Sequence, residues 1–389
     1  MSDLNDYFDP VSIDTPPFEQ LGPHAGFPHN ITIHTESSPI KKIEGFRIAL
    51  LGVPEGRNSV NPGADKGPDA IRSQLYNLGR IPGKLKITDL GNMKQGTTFN
   101  DTIAGLSHIL TILWGEKIFP VIMGGSSALI SAIDSAFQEI KTKYSLTAVD
   151  SRISYNQEKK NTGPYSYLNT ITGKQSNSLT SYANIGYQTY LNDQQVINRF
   201  LRRGSTLVRI GDVRQSINLM EPLMRDSEAI IFNIASVRQS DAPGTAIPSP
   251  NGFYGEEICL LSRYAGLSDN SRIFGLFDVN PDFDIRFQTS ALAAQILWFF
   301  LEGFSQKQFE TPVLGSENSG RFIRYHVRVT GMDDDLVFVK SNLTERWWME
   351  IISGDSGTSY IACSHEDYLK ANRNEVPERW INAASRLKK

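Results

Sequence analysis

The sequence predicts an α/β protein built on a largely parallel sheet, with a small C-terminal α+β appendage. Two observations carry the fold class. Between Phe46 and Gly303, short apolar runs bounded by turn residues alternate with longer amphipathic stretches, the pattern of strand–helix crossover units. The runs are continuously apolar rather than alternating, as expected of strands covered on both faces. A third observation marks the appendage: beyond Thr311, strand-like runs follow one another across short polar turns.

In chain order, residues 1–44 are rich in Pro, His, Ser and Asp without a sustained period. They read as an extended arm that packs onto a larger body, such as a neighbouring subunit. The main domain, 45–310, opens with the strand-like Phe46–Val53 and a helix from Pro68. Lys117–Gly125 leads into a helix from Ser126, and Tyr144–Asp150 is the next strand. Tyr182–Tyr187 precedes a helix over Asn192–Arg203, and Ser205–Asp212 precedes one from Arg214. Glu228–Ala235, a helix over Tyr254–Tyr264, Arg272–Val279 and a long helix over Ile285–Gly303 complete the domain. The appendage, 311–389, holds strand-like Arg321–Val329, Asp335–Ser341 and Arg346–Ile352, then short helices near His365 and Pro377.

Composition limits the function. Among 389 residues, 39 Lys and Arg stand against 42 Asp and Glu, for a net charge of −3. With both signs interspersed, neither nucleic acid nor an acidic membrane is an expected partner. Cys259 and Cys363 cannot form a disulfide framework, which fits a reducing compartment. The opening MSDLNDYFDP has no apolar run of the kind a secretory signal needs. The longest apolar stretch, Ala291–Phe300, is roughly half a bilayer span. A cytoplasmic, water-soluble protein is expected.

Several isolated features have bland explanations. His24, His29 and His34 are spaced by five, so neighbours in an extended arm point to opposite faces; packing or surface roles are preferred over metal binding. Ser126 and Ser127 loosely suggest a nucleophile elbow, Gly124-x-Ser126-x-Ala128. No histidine lies near a strand end to serve as base, and serine is a favoured helix cap. Asp333–Asp335 reads as a solvated turn rather than a calcium loop. Trp347 and Trp348 offer a recognition patch, with one core and one partly covered ring as the preferred alternative. Trp298–Phe300 sits in the longest apolar helix and reads as core.

The strand-end sequences together resemble the ureohydrolase family of arginase, agmatinase and formimidoylglutamase. The segments that carry the resemblance are Leu51-Gly52-Val53-Pro54, Asn61-Pro62-Gly63-Ala64, Gly67-Pro68-Asp69-Ala70-Ile71-Arg72 and Asp89-Leu90-Gly91-Asn92. Further along come Ala242-Pro243-Gly244-Thr245, Pro250-Asn251-Gly252-Phe253 and Val279-Asn280-Pro281 with Asp284. The resemblance runs in order over about 46–305 and implies a three-layer arginase-like fold. It also implies a homo-oligomer, with arm and appendage as interface elements. The Ala242–Gly255 loop and the Val279 segment read most like the formimidoylglutamase branch.

The resemblance further implies where two manganese ions would be held, and there this chain departs from the pattern. The motif G-G-D-H-S corresponds to Gly124–Ala128, with Ser127 at the histidine. The motif D-A-H-x-D corresponds to Asp150–Ser154: Asp150 stays, while Arg152 and Ser154 replace ligands. The third motif begins at Ile231, with Asn233 and Ala235 in place of carboxylates, and the substrate-facing glutamate falls at Asp278. Two divalent ions need several carboxylates and imidazoles, and a fixed cation at Arg152 repels metal. No cofactor is therefore expected. The leading expectation is a non-catalytic relative kept for protein interaction or ligand sensing, with Arg152 plugging the vacated site against Asp150. Ser126, Arg152, Arg238 and Asp278 are the residues expected to line a pocket for a small anionic ligand. The alternative is a hydrolase of carbon–nitrogen bonds in linear amidines with a site rebuilt around Asp150, Arg152, Asn233 and Asp278. Manganese belongs to the protein only under that alternative.

Overall fold

Nearly every continuous apolar run becomes a buried strand of one ten-stranded sheet in the computed structural model, which describes residues 6–12, 25–57, 59–157, 166–173, 176–312, 319–353 and 357–387. The strands are β1 (Phe8–Asp9), β2 (Ile31–Ile33), β3 (Ile48–Val53), β4 (Ile87–Met93), β5 (Phe119–Gly124), β6 (Tyr144–Val149), β7 (Leu179–Tyr187), β8 (Thr206–Arg209), β9 (Ala229–Asn233) and β10 (Ile273–Phe277). Their order is β1-β4-β3-β5-β10-β9-β6-β7-β8, with β2 also on β4. All pairings are parallel except β1 on β4. The arm thus adds two short strands to its own sheet.

Both faces are covered, which explains the unbroken apolar runs. One layer holds α1 (Gly67–Leu75), α6 (Ile210–Gln215), α7 (Glu221–Arg225), α8 (Gly255–Leu267) and α9 (Gln288–Ser305). The other holds α2 (Phe99–Gly115), α3 (Ile130–Glu139), α4 (Tyr167–Ile171) and α5 (Gln194–Arg202). Alternate residues of a strand divide between the layers: Ile48 and Leu50 face the first, Ala49 and Leu51 the second. Phe300 is fully buried in α9, and Trp298 donates its indole N–H to Gly79 O (2.7 Å). That stretch is core packing. Among the described residues, no helix is long and apolar enough to cross a membrane.

The helix expected from Arg214 differs. Helix α6 already ends at Gln215, a 3-10 turn spans Ile217–Met220, and α7 restarts at Glu221 with Pro222 in its first turn. Proline lacks the N–H that a continuous helix would need there and suits a new start.

The appendage is a four-stranded antiparallel sheet of β11 (Phe322–Val327), β12 (Leu336–Ser341), β13 (Trp347–Ser353) and β14 (Gly357–Cys363), followed by α10 (His365–Asn372) and α11 (Glu378–Leu387). Strand β14 is an addition to the three expected runs. Adjacent Trp347 and Trp348 face opposite ways, but both are buried. Trp347 packs with Tyr325 and Tyr368, and Trp348 lies against Phe322 with the Arg225 guanidinium 4.5 Å from its ring. The recognition patch does not form. Asp333–Asp335 is an exposed turn, with Asp335 near Arg328 (3.3 Å).

Candidate functional site

The strand order sets β5, β10, β9 and β6 side by side, so the residues after their carboxyl ends meet in one place. Ser126 and Ser127 follow β5, Asp278 follows β10, Asn233 ends β9, and Asp150 and Arg152 follow β6. The loop after β5 is tight: a Cβ on Gly125 would lie 2.2 Å from the Glu55 carbonyl oxygen, so only glycine fits.

A hydrogen-bonded carboxylate–amide cluster occupies the centre. Asn233 donates from Nδ2 to Asp278 Oδ2 (2.8 Å), while its Oδ1 accepts the Ala235 N–H (2.9 Å). The other Asp278 oxygen accepts the Ser127 N–H (3.2 Å). Asp278 has a left-handed backbone, φ +68°, a conformation that costs about 1–3 kcal/mol. Its N–H to Gly125 O (2.8 Å) and the Asn61 Nδ2–H to its carbonyl (2.8 Å) hold it. Asn61 Oδ1 also accepts from Ala246 N and Asn280 Nδ2, which ties three strand-end loops together.

Asp150 and Asp278 are both buried. Burial pushes Asp150 up to about 7, with the neighbouring Asp278 carboxylate adding to the rise and the Arg152 backbone N–H opposing it. Burial likewise pushes Asp278 up to about 6, against hydrogen bonds from Ser127 and Asn233. Burial thus holds both carboxyls above the ordinary carboxylate range.

Arg152 departs from the expected plug. Its backbone N–H, not its guanidinium, reaches Asp150 Oδ1 (3.0 Å), and the guanidinium donates from Nη1 to Leu191 O (3.0 Å). The side chain instead lines a cavity of about 230 Å³ with Asp150, Asn233, Ala235, Tyr190 and the 247–251 loop. Of the four expected pocket residues, only Arg152 lines this cavity. Ser126 is buried and caps the Ala128 N–H with its Oγ (3.2 Å); Asp278 lies beneath the cavity's Asn233. Arg238 pairs with Asp241 (2.8 Å) and stacks 4.1 Å from the Tyr254 ring. Ser154 is buried, its carbonyl accepting the Leu168 N–H at the start of α4 (3.1 Å). His34 is buried and accepts the Ile40 N–H on Nδ1 (3.0 Å), His29 is exposed, and His24 lies outside the described residues.

The sequence model of the arginase family matches residues 46–302, two thirds of the protein and the whole strand-end site. The chain belongs to the arginase family. Its similarity to individual members is low. Formimidoylglutamase of Photorhabdus laumondii is 22% identical over 271 residues, which cover 64% of this chain and 84% of that one. Formimidoylglutamase of Bacillus subtilis is 22% identical over 297 residues, covering 67% and 88%. Among solved structures, Trypanosoma cruzi formiminoglutamase with Mn2+2 superposes with a TM-score of 0.64 at 18% identity, over 76% of this chain and all of that chain. The proclavaminate amidino hydrolase of Streptomyces clavuligerus follows at 0.58 and 20%.

Two parts of this arginase-family site were not singled out in the sequence. Tyr190 and Leu191 lie in a 3-10 turn after β7, where no motif marks them. Ile247–Asn251 forms the apolar wall; the Pro250-Asn251-Gly252-Phe253 signal was present there but suggested scaffold only.

Proposed function

We propose that this arginase-family protein is a binding member rather than a metallohydrolase, with a small anionic ligand held in the strand-end cavity. One observation carries the reading: the buried carboxylate oxygens are already taken by protein N–H donors. Asp278 accepts from Ser127 and Asn233, and Asp150 accepts from the Arg152 backbone. Among the described residues no three His, Cys, Asp or Glu side chains are grouped to hold a metal ion. This donor set does not fit the two manganese ions that the fold family implies, because each divalent ion needs several free oxygen or nitrogen ligands. Arg152 supplies a permanent cation at the cavity wall, and Tyr190 with the 247–251 loop supplies the rest of an enclosure suited to a small molecule.

A second reading has one observation in its favour. Asp150 lines the cavity and titrates near 7, the range that suits a general acid or base. Under it the protein hydrolyses carbon–nitrogen bonds of linear amidines, the activity class suggested by relatives named formimidoylglutamase.

Elemental analysis of protein made in manganese-supplemented cells, paired with thermal-shift titration by small carboxylates and amidines, separates the two. Metal-free protein stabilised by a carboxylate supports the binding reading. Near-stoichiometric manganese, or turnover of an amidine, overturns it.

A further inference from the structure

Cations gather at the amino-terminal ends of the central strands, opposite the strand-end site. Arg47 stands immediately before β3, and the Ile48↔Ile87 register sets Lys86 beside it at the start of β4. Half-buried Lys307, just past α9, reaches the same end from the helix layer. Its Nζ donates to Ser271 Oγ (3.2 Å) and lies 4.1 Å from the Phe304 ring and 5.1 Å from that of Phe119, the first residue of β5. Exposed Phe309, two residues on, has its ring 5.8 Å from the Arg47 guanidinium. Among the described residues, the lysines in ion pairs are Lys66 and Lys340, so Lys307 and Lys86 have none, and neither has Arg47. Asp269 is the carboxylate that acts on Lys307, and both of its oxygens are taken. Oδ1 accepts the Phe309 N–H (3.1 Å), and Oδ2 accepts the Glu310 N–H (3.2 Å) and Arg346 Nη1 (3.0 Å). Glu310 is turned to the hydroxyls of Ser341 (2.6 Å) and Thr344 (2.5 Å). Burial pushes the Lys307 amine down to about 7; Asp269 opposes that fall, and Arg47 and Arg346 add to it. Two rings and a hydroxyl answer this ammonium only in part, since a charge drawn out of water is normally matched by an opposite one.

We propose that Lys307 and Arg47, flanked by Lys86, bind a phosphate group, carried either by free phosphate or by an organic phosphate monoester. The ammonium and the guanidinium supply charge-assisted donors to the phosphate oxygens. The exposed Phe309 ring supplies a flat apolar surface for the organic part of an ester. The site lies at the opposite ends of the strands from the Arg152 cavity, and Lys307 is outside the matched residues 46–302. The inference is therefore independent of how the strand-end site works.

The test titrates the full chain by calorimetry with inorganic phosphate and with a nucleoside monophosphate, using sodium chloride to hold the ionic strength. Saturable binding of phosphate is expected, and none of chloride. Lys307→Gln and Arg47→Gln should each weaken phosphate about ten- to hundredfold, the loss of one charge-assisted bond. Thermal midpoints confirm folding, and Arg47 is exposed, so its replacement leaves the core in place. Lys307→Arg should keep the binding and flatten its pH dependence. In the wild type, affinity falls from pH 7 to pH 9 as the free amine loses its proton, whereas a guanidinium stays charged and the titration of phosphate itself is common to both. A monoester that binds more tightly than phosphate assigns the site to an organic ligand lying on Phe309, and equal affinity assigns it to free phosphate. No saturable phosphate binding, binding unchanged in both glutamine variants, or parallel pH profiles for the wild type and Lys307→Arg would each overturn the proposal.

Discussion

Asn233 reaches Asp278 with its amide N–H and holds the Ala235 backbone with its amide oxygen, so one side chain both caps a turn and feeds a buried carboxylate. Only an amide can do both at once, because a carboxylate at 233 has no N–H to give. The substitution Asn233→Asp therefore places a third buried carboxyl beside Asp150 and Asp278. It is expected to destabilise the protein at pH 8 by about 3–5 kcal/mol, the range for an uncompensated buried charge. Thermal denaturation at pH 8 and pH 5 checks this: the loss should shrink at pH 5, where the added carboxyl can stay protonated.

The Asp150–Asp278 pair gives the stability a direction with pH. Burial raises both carboxyls above the ordinary value of 3.8, to about 7 and about 6. The folded state thus binds more protons than the unfolded state between about pH 4 and 7, and stability falls as pH rises through that window. The stabilising share is fully present below about pH 4, whatever acid does to the other carboxylates. Asp150→Asn removes the largest part of the effect. Relative to the wild type, its urea midpoint is expected to rise on going from pH 5 to pH 8. A constant difference across that range counts against a raised Asp150 carboxyl.

Ligand binding should depend on Arg152 more than on its neighbours. Arg152 donates to Leu191 O and lines the cavity wall, where its positive charge can attract a carboxylate. A hydrogen bond to a charged group contributes about 1.5–3 kcal/mol, so Arg152→Gln should weaken carboxylate binding about ten- to hundredfold. Arg152→Lys should recover only part, since lysine offers charge without the planar fork. Titration calorimetry with the carboxylate found by thermal shift measures both.

The legible part of this chain was the part set by local chemistry. Continuous apolar runs such as Phe119–Gly124 declare a strand buried on both faces, because no other element of that length buries every side chain. The strand-end residues Asp150, Asn233 and Asp278 were legible in another way, through the resemblance of the strand-end segments to the ureohydrolase motifs. The direction of Arg152 was not. Its alternatives, a neighbouring carboxylate or a carbonyl 39 residues on, differ only in the path of the loop after β7. Arg238 illustrates the same limit, since Asp241 and Tyr254 take up its guanidinium locally. Strand β14 was hidden because Gly357–Cys363 has a weak apolar pattern and draws its order from pairing with β13.

Two adjacent residues at the end of α7 reach from the main domain into the appendage. Arg225 is buried, pairs with Glu221 (2.9 Å), and donates from Nη2 to Trp347 O (3.1 Å) and Cys363 O (3.3 Å). Asp226 accepts the Ala362 N–H on both carboxylate oxygens at 3.0 Å. Arg225 thus satisfies main-chain carbonyls on β13 and β14, and its guanidinium covers the Trp348 ring. Arg225→Ala removes those donors, leaves Glu221 to the more distant Arg346 (3.5 Å), and uncovers an indole. The expected penalty is about 3–5 kcal/mol, as for breaking a buried ion pair by deleting one partner. It should fall on the appendage first, because the main sheet buries its own two cores without Arg225. Hydrogen exchange is the readout: faster exchange at Trp347–Ile351 and Ala362, with β5, β9 and β10 unchanged, is the expected result. Equal acceleration in both sheets would mean that the two parts unfold as one unit.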